Sequence, residues 1–129
     1  ILFESITLLK QGKAKRRRQN QIDPIGSYCS TRVIGDEIIN WNQTSRQLYN
    51  FVRAICLPGP QARAFLNNKE MKINKVIEIN NAPLYIGVNG AILFKDDSGF
   101  LIKTADTFVK VVDYEYSGKF KVGDRFEIR

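Results

Sequence analysis

The residues that could do chemistry are few and unevenly placed. Lys13-Ala14-Lys15-Arg16-Arg17-Arg18 puts five cations into six positions. Its one apolar residue is an alanine, so the run cannot enter a core, because an unpaired buried charge is too costly. It is either a solvated connector or a contact surface for a polyanion. On a polyanion, each neutralised phosphate releases counterions and makes binding salt-sensitive. The chain has no histidine. That removes the commonest general base, the commonest metal ligand and every triad built on an imidazole. Cys29 and Cys56 are too few to cage a zinc ion unaided. With no imidazole to activate it, Cys56 reads as a small buried hydrophobe. Asp36-Glu37 reads as a turn or helix surface feature, since an acid/base dyad needs carboxylates converging from separate elements. Gly87-Val88-Asn89-Gly90 lacks the lysine, serine and following helix of a phosphate loop. These residues describe a binding or accessory domain with no catalytic group and no metal site.

The charge is local. Residues 1–32 carry seven basic and two acidic residues, a net of +5 out of +7 for the whole chain. From residue 33 onward the excess is only +2. At 129 residues and 43% hydrophobic, the chain can bury one core but not two. No apolar run reaches the roughly 18 residues of a membrane span. The opening ILFESITLLKQG lacks the basic start and small-residue cleavage site of a signal peptide. The chain is therefore expected to be a piece of a longer cytoplasmic protein with free thiols, although spacing alone leaves a bridge between Cys29 and Cys56 open.

The elements that must position these residues follow from periodicity. Leu2, Ile6 and Leu9 fit one face of a helix over 1–12, with Gly12 as its stop. Residues 13–32, with Pro24 and Gly26, read as a linker. The clearest helix is 42–56. Asn42 or Thr44 can cap it, and Leu48, Phe51, Val52 and Ile55 make its apolar stripe. Arg46, Gln47, Asn50 and Arg53 lie off that stripe, and Pro58-Gly59-Pro60 ends the helix. Beyond Gln61 the period is two, predicting strands at 62–67, 71–79, 91–95, 100–104, 108–114 and 126–129. Along 69–75 the alternation puts Lys69, Met71, Ile73 and Lys75 on one face. The turns carry Asn67-Asn68 and Asp96-Asp97-Ser98-Gly99. The fold class is mainly β with one helix, a small barrel closing its own edges. Trp41 is expected to pack in the core.

One linear order carries a resemblance. Asp36-Glu-Ile-Ile-Asn-Trp41 leads into Leu48-Tyr-Asn-Phe-Val-Arg-Ala-Ile55, then Pro58, Pro60 and Ala62, then short strands. Gln19 or Gln21 with Ser27-Tyr28-Cys29, and the ending Gly118-Lys-Phe-Lys-Val-Gly-Asp-Arg-Phe126, extend it over nearly the whole chain. This resembles the C-terminal domain of formyltransferases that use 10-formyltetrahydrofolate. Pro58-Gly-Pro-Gln-Ala62 displaces the glycine relative to the Pro-Gly-Ala of that family. The resemblance implies an OB-like barrel at 36–129, a basic linker at 13–35, and at 1–12 the last helix of an α/β catalytic domain. That other domain would bind 10-formyltetrahydrofolate and hold the catalytic residues, leaving none here. In methionyl-tRNA formyltransferases the linker and barrel hold tRNA. The carried-over candidates for phosphate contact are Lys13, Lys15, Arg16, Arg17 and Arg18, with Lys72 on the barrel. Arg46, Lys69, Lys75, Lys119 and Lys121 follow. Arg53 is expected to have a structural role, as an ion pair or a carbonyl contact. The acceptor implied is the amino group of initiator methionyl-tRNA. The alternative is an amino sugar, with the barrel an accessory part of a sugar-nucleotide N-formyltransferase.

Overall fold

A computed structural model describes residues 1–128. They divide into two units, Ile1–Arg32 and the residues from Val33 onward.

The first unit holds α1, Leu2–Lys10, and α2, Gln19–Ile22. α1 stops where expected. Gly12 adopts φ +68°, its N–H reaches Leu9 O at 3.1 Å, and the Lys13 N–H reaches Leu8 O at 2.9 Å. These paired bonds satisfy two of the helix's orphan carbonyls. No residue of α1 is buried, and Leu2, Phe3 and Leu9 are exposed. The single turn of α2 lies inside the segment read as a linker and was not expected from sequence.

The second unit is a five-stranded antiparallel sheet with one helix packed on it. Helix α3, Ser45–Ile55, begins at a reciprocal cap: Thr44 Oγ1 accepts the Gln47 N–H, and Gln47 Oε1 accepts the Thr44 N–H at 3.0 Å. Leu48, Val52 and Ile55 are buried and Phe51 is half-buried, so the apolar stripe is the one the spacing gives. The chain then turns through Pro58-Gly59-Pro60. A Cβ at Gly59 would come within 2.8 Å of Ile55 O, so only glycine fits there.

The strands are β1 Ala62–Leu66, β2 Lys69–Glu78, β3 Ile92–Asp96, β4 Gly99–Lys103 and β5 Phe108–Tyr116, in the order β1-β2-β5-β4-β3. Asn67 and Asn68 both take positive φ, 51° and 59°, as a two-residue hairpin requires. At the β3–β4 hairpin, Asp96 Oδ1 accepts the Ser98 N–H at 2.9 Å. A Cβ on Gly99 would meet Val111 O at 1.9 Å, so β5 can approach only a glycine there.

Two expectations are corrected. The pairing of β2 with β5 shifts between Ile73 and Val76, so Val76 turns inward and Lys75 is exposed instead of sharing the face of Met71 and Ile73. A bulge of this kind reverses the alternation beyond it. The bulged Asn74 is used. Its Oδ1 accepts the Leu57 N–H at 2.8 Å and its Nδ2 donates to Asp113 at 2.7 Å, tying the end of α3 to the sheet. The strand expected at 126–129 does not form over 126–128; Arg129 lies outside the described residues. Residues 123–127 instead bond both outer strands at isolated points. Ile92 donates to Asp124 O, Gly123 to Ile92 O, and Glu127 to Phe65 O, each at 2.9 Å. On its outer side β1 also meets residues 37–39, with Ile39 N–H on Arg63 O at 2.8 Å.

The core lies between α3 and the sheet. Trp41 is 1% exposed and packs against Phe126 at 5.0 Å between ring centroids, the rings tilted by 38°. Phe100 lies edge-on to Tyr114 and Phe120.

Candidate nucleic-acid interface

The basic run lies between α1 and α2 in residues with no regular structure. Lys13, Lys15, Arg16, Arg17 and Arg18 are all exposed. Asp23, one of the two carboxylates of this unit, already accepts the Gly26 N–H at 3.0 Å. Among the described residues none of the five cations pairs with a carboxylate. An extended, solvated array of this kind presents five donors to a polyanion without first breaking an ion pair. Tyr28 and Cys29, further along the unit, are also exposed. Cys29 and Cys56 are both free thiols.

Lys72 belongs to the other unit. It stands on β2 between Arg63 of β1 and Glu115 of β5, half-buried. Glu70 and Glu115 line the same shallow depression, so its charge is offset locally. Arg63 is held between Glu37 at 3.7 Å and Glu70 at 3.3 Å. Arg46 pairs with Glu78 at 2.9 Å. Free basic side chains of this unit include Lys69 at the β1–β2 hairpin, Lys75 beside the α3–β2 cleft, and Lys119 and Lys121 beside Asn67 and Phe120. Lys95 lies over the Phe120 ring at 4.0 Å.

Arg53 is exposed, with its guanidinium 5.4 Å from the Tyr49 ring centroid. It stacks on its own helix, one turn back, instead of making the ion pair or carbonyl contact the sequence suggested. Tyr49, Val52, Arg53 and Cys56 line a cleft of about 300 Å³ between α3 and β2. Cys56 is half-buried at its edge, not sunk in the core, and its Sγ contacts Arg53 O at 3.3 Å. Asp36 and Glu37 serve the turn before β1: Asp36 Oδ2 accepts the Val33 N–H at 2.9 Å, and Glu37 Oε2 accepts the Gly35 N–H at 3.1 Å.

Sequence reasoning missed two charged groups that come near each other, Lys103 at the end of β4 and Asp106 in the turn to β5. Lys103 is 1% exposed, and its ammonium donates to Thr104 O. Burial pushes that ammonium below the usual lysine range, and the nearby Asp106 charge works against the shift. Burial would raise Asp106, but four hydrogen bonds prevail. The Ser45 and Thr107 N–H groups donate to it at 2.8 and 2.9 Å, and the Thr104 and Ser45 hydroxyls at 3.0 and 3.1 Å, lowering its pKa to about 2. The signal available was weak: a lysine within an apolar strand, followed by Thr-Ala-Asp-Thr.

Among the described residues no three His, Cys, Asp or Glu side chains converge as a metal site would need, and no helix is long and apolar enough to cross a membrane.

Comparison with known proteins places these features. Residues 35–123 match the family model described as "Formyl transferase, C-terminal domain". The methionyl-tRNA formyltransferase of Ruminiclostridium cellulolyticum is 31% identical over 96% of this chain and 39% of its own length. That of Mycoplasma mycoides is 30% identical over 72% and 29%, and that of Clostridium acetobutylicum 28% identical over 92% and 37%. The chain thus spans at most about two fifths of the length of these relatives. The match to the model covers the cap, α3, the five strands and the bridging residue Gly123, and by it the chain belongs to the formyl transferase C-terminal domain family.

Proposed function

We propose that this chain is the tRNA-holding part of a methionyl-tRNA formyltransferase. The whole enzyme moves a formyl group from 10-formyltetrahydrofolate to the amino group of initiator methionyl-tRNA in the cytoplasm. The formyl donor and the catalytic residues belong to a preceding domain, of which α1 is the last helix. Residues 13–35 are the linker and 36–129 an OB-like barrel. The observation that carries the reading is the exposed, unpaired run Lys13, Lys15, Arg16, Arg17 and Arg18, taken with relatives that bear this enzyme's name. The run contacts phosphates and so positions the tRNA without reading its sequence. Lys72 contributes less, because Glu70 and Glu115 stand beside it.

The test is tRNA binding by the 129-residue chain across a salt series, with an unstructured single-stranded RNA as control. Tight, steeply salt-dependent binding that prefers tRNA supports the reading. Replacing Lys15, Arg16, Arg17 and Arg18 with glutamine should then weaken binding and flatten the salt slope by about one unit per lost phosphate contact. Weak binding, equal for both RNAs, would sink it. The near-neutral barrel would then favour an amino-sugar acceptor carried on a sugar nucleotide.

A further inference from the structure

The loop after β2 exposes an unusual amount of apolar surface. Leu84 is 88% exposed and Ile86 100%, with Tyr85 between them. The loop is nevertheless anchored. The Tyr85 N–H donates to Asp106 O at 3.1 Å, and Thr107 Oγ1 donates to Pro83 O at 2.8 Å. Tyr85 lies close over Gly87, where a Cβ would come within 2.9 Å of the ring. The anchored loop forms the rim of a cleft of about 400 Å³ whose lining includes Lys103, Asp106 and Asn89.

The polar groups of this cleft are only partly used. An ammonium has three N–H donors, and Lys103 gives one to Thr104 O. Its Nζ stands 5.8 Å from the Tyr85 ring centroid. Asp106 balances its charge without taking its protons, because the carboxylate is occupied by Ser45, Thr104 and Thr107. Asn89 Nδ2 donates to Asn42 at 2.9 Å, which leaves the Asn89 side-chain oxygen as an acceptor. The site is therefore close to neutral, with spare donors at Lys103, a spare acceptor at Asn89 and an aromatic ring beside them. A phosphate would meet the Asp106 charge. A flat neutral ring carrying a carbonyl next to an N–H meets complementary groups throughout.

We infer that this cleft takes one unstacked nucleobase presenting a carbonyl and an adjacent ring N–H, that is, uracil or guanine, from the bound RNA. Lys103 donates to the carbonyl, Asn89 accepts the ring N–H, and Tyr85 with its apolar neighbours covers the base. Unpaired bases are read in this way, by stacking on aromatic rings and hydrogen bonding along one edge. Adenine has no carbonyl, and cytosine has no ring N–H beside its own. The inference rests on the RNA-binding reading above but concerns a different surface.

Its test separates the two. The ¹⁵N-labelled 129-residue chain is titrated with UMP, GMP, AMP and CMP, observing amide shifts. Saturable shifts at Gly87, Asn89 and Ala105 with UMP and GMP, weaker by five-fold or more with AMP and CMP, are expected. Tyr85→Ala lies on the exposed rim and leaves the core untouched. It should abolish these shifts and weaken oligouridylate binding about ten-fold, the size of one base-stacking contact, with the salt slope unchanged. Lys103→Met, where it folds, should erase the preference for UMP and GMP. Equal response to all four nucleotides, shifts confined to other residues, or unchanged binding by Tyr85→Ala would each overturn the pocket. Binding of an acidic peptide at this cleft in place of nucleotides would overturn it as well. Selective UMP and GMP shifts in a chain that fails to prefer tRNA would uphold the pocket and remove the tRNA reading alone.

Discussion

Asp106, in the turn between β4 and β5, accepts both the backbone N–H and the hydroxyl of Ser45, the first residue of α3 and 61 positions earlier in the chain. The helix start is thus fastened to the sheet by a carboxylate placed at its positive end, where a negative charge is most favourable. Thr44 closes the helix on itself, and Asp106 fixes where the closed helix sits.

Replacing Asp106 with alanine should destabilise the sheet-and-helix unit by about 2–3 kcal/mol at neutral pH, because it leaves partly buried donors without their charged acceptor. The pH dependence has a definite sign. The folded-state pKa is depressed to about 2, so the unfolded chain takes up this proton first. The stabilisation is full above about pH 4 and is lost as pH falls toward 2. Denaturant titrations of wild type and Asp106→Asn between pH 2 and pH 7 should converge at the acid end. Parallel curves would show that the carboxylate charge is not what matters.

Part of this architecture is legible in the sequence. The α3 stripe, the Thr44 cap, the Asn67-Asn68 turn and the Asp96–Gly99 turn are local, and local chemistry dictates them. The Asp106–Ser45 contact is not, because neither residue's neighbours hint at the other. The bulge at Asn74 is equally hidden. The residues around it alternate cleanly, and only the partner strand reveals the extra residue. For the same reason, sequence places Lys75 on the inner face. In the candidate interface the basic run stands out by composition alone, whereas Lys103 looks like one more surface lysine until the fold buries it.

Trp41 is the sole tryptophan, and its Nε1 has no hydrogen-bond partner among the described residues. Trp41→Ala should cost about 3–5 kcal/mol through lost packing on Phe126. Trp41→Phe should cost much less, since it also removes the unpaired N–H. Wild-type emission should be blue-shifted and resist acrylamide quenching. Emission at the wavelength of free tryptophan would contradict the burial.

Gly99 combines φ +136° with the close approach of Val111 O. Gly99→Ala should therefore be far worse than a simple turn substitution, separating β4 from β5 and preventing cooperative unfolding. Gly35→Ala is the control within the same unit, with a positive φ of 106° but nothing within 4 Å of the added Cβ; it should leave that unit's cooperative transition in place. Circular dichroism melts of the two variants decide this.

The two thiols should react at different rates. Cys29 is exposed and Cys56 half-buried, so a thiol-reactive dye should label one site quickly and the other several-fold more slowly, reaching two per chain without reductant. A single site, or none, would indicate a bridge or a buried Cys56.

The segment 123–127 matters for solubility as much as for folding. It bonds the outer rim of β3 at Ile92 and that of β1 at Phe65, and bare strand rims are templates for pairing with other molecules. A shortened chain ending before Gly123 would keep its helix and its hairpins yet open the rim of β3 and the Phe65 end of β1, whose Arg63 stays bonded to residues 37–39. Its first symptom should be self-association that worsens with concentration, well before any loss of secondary structure.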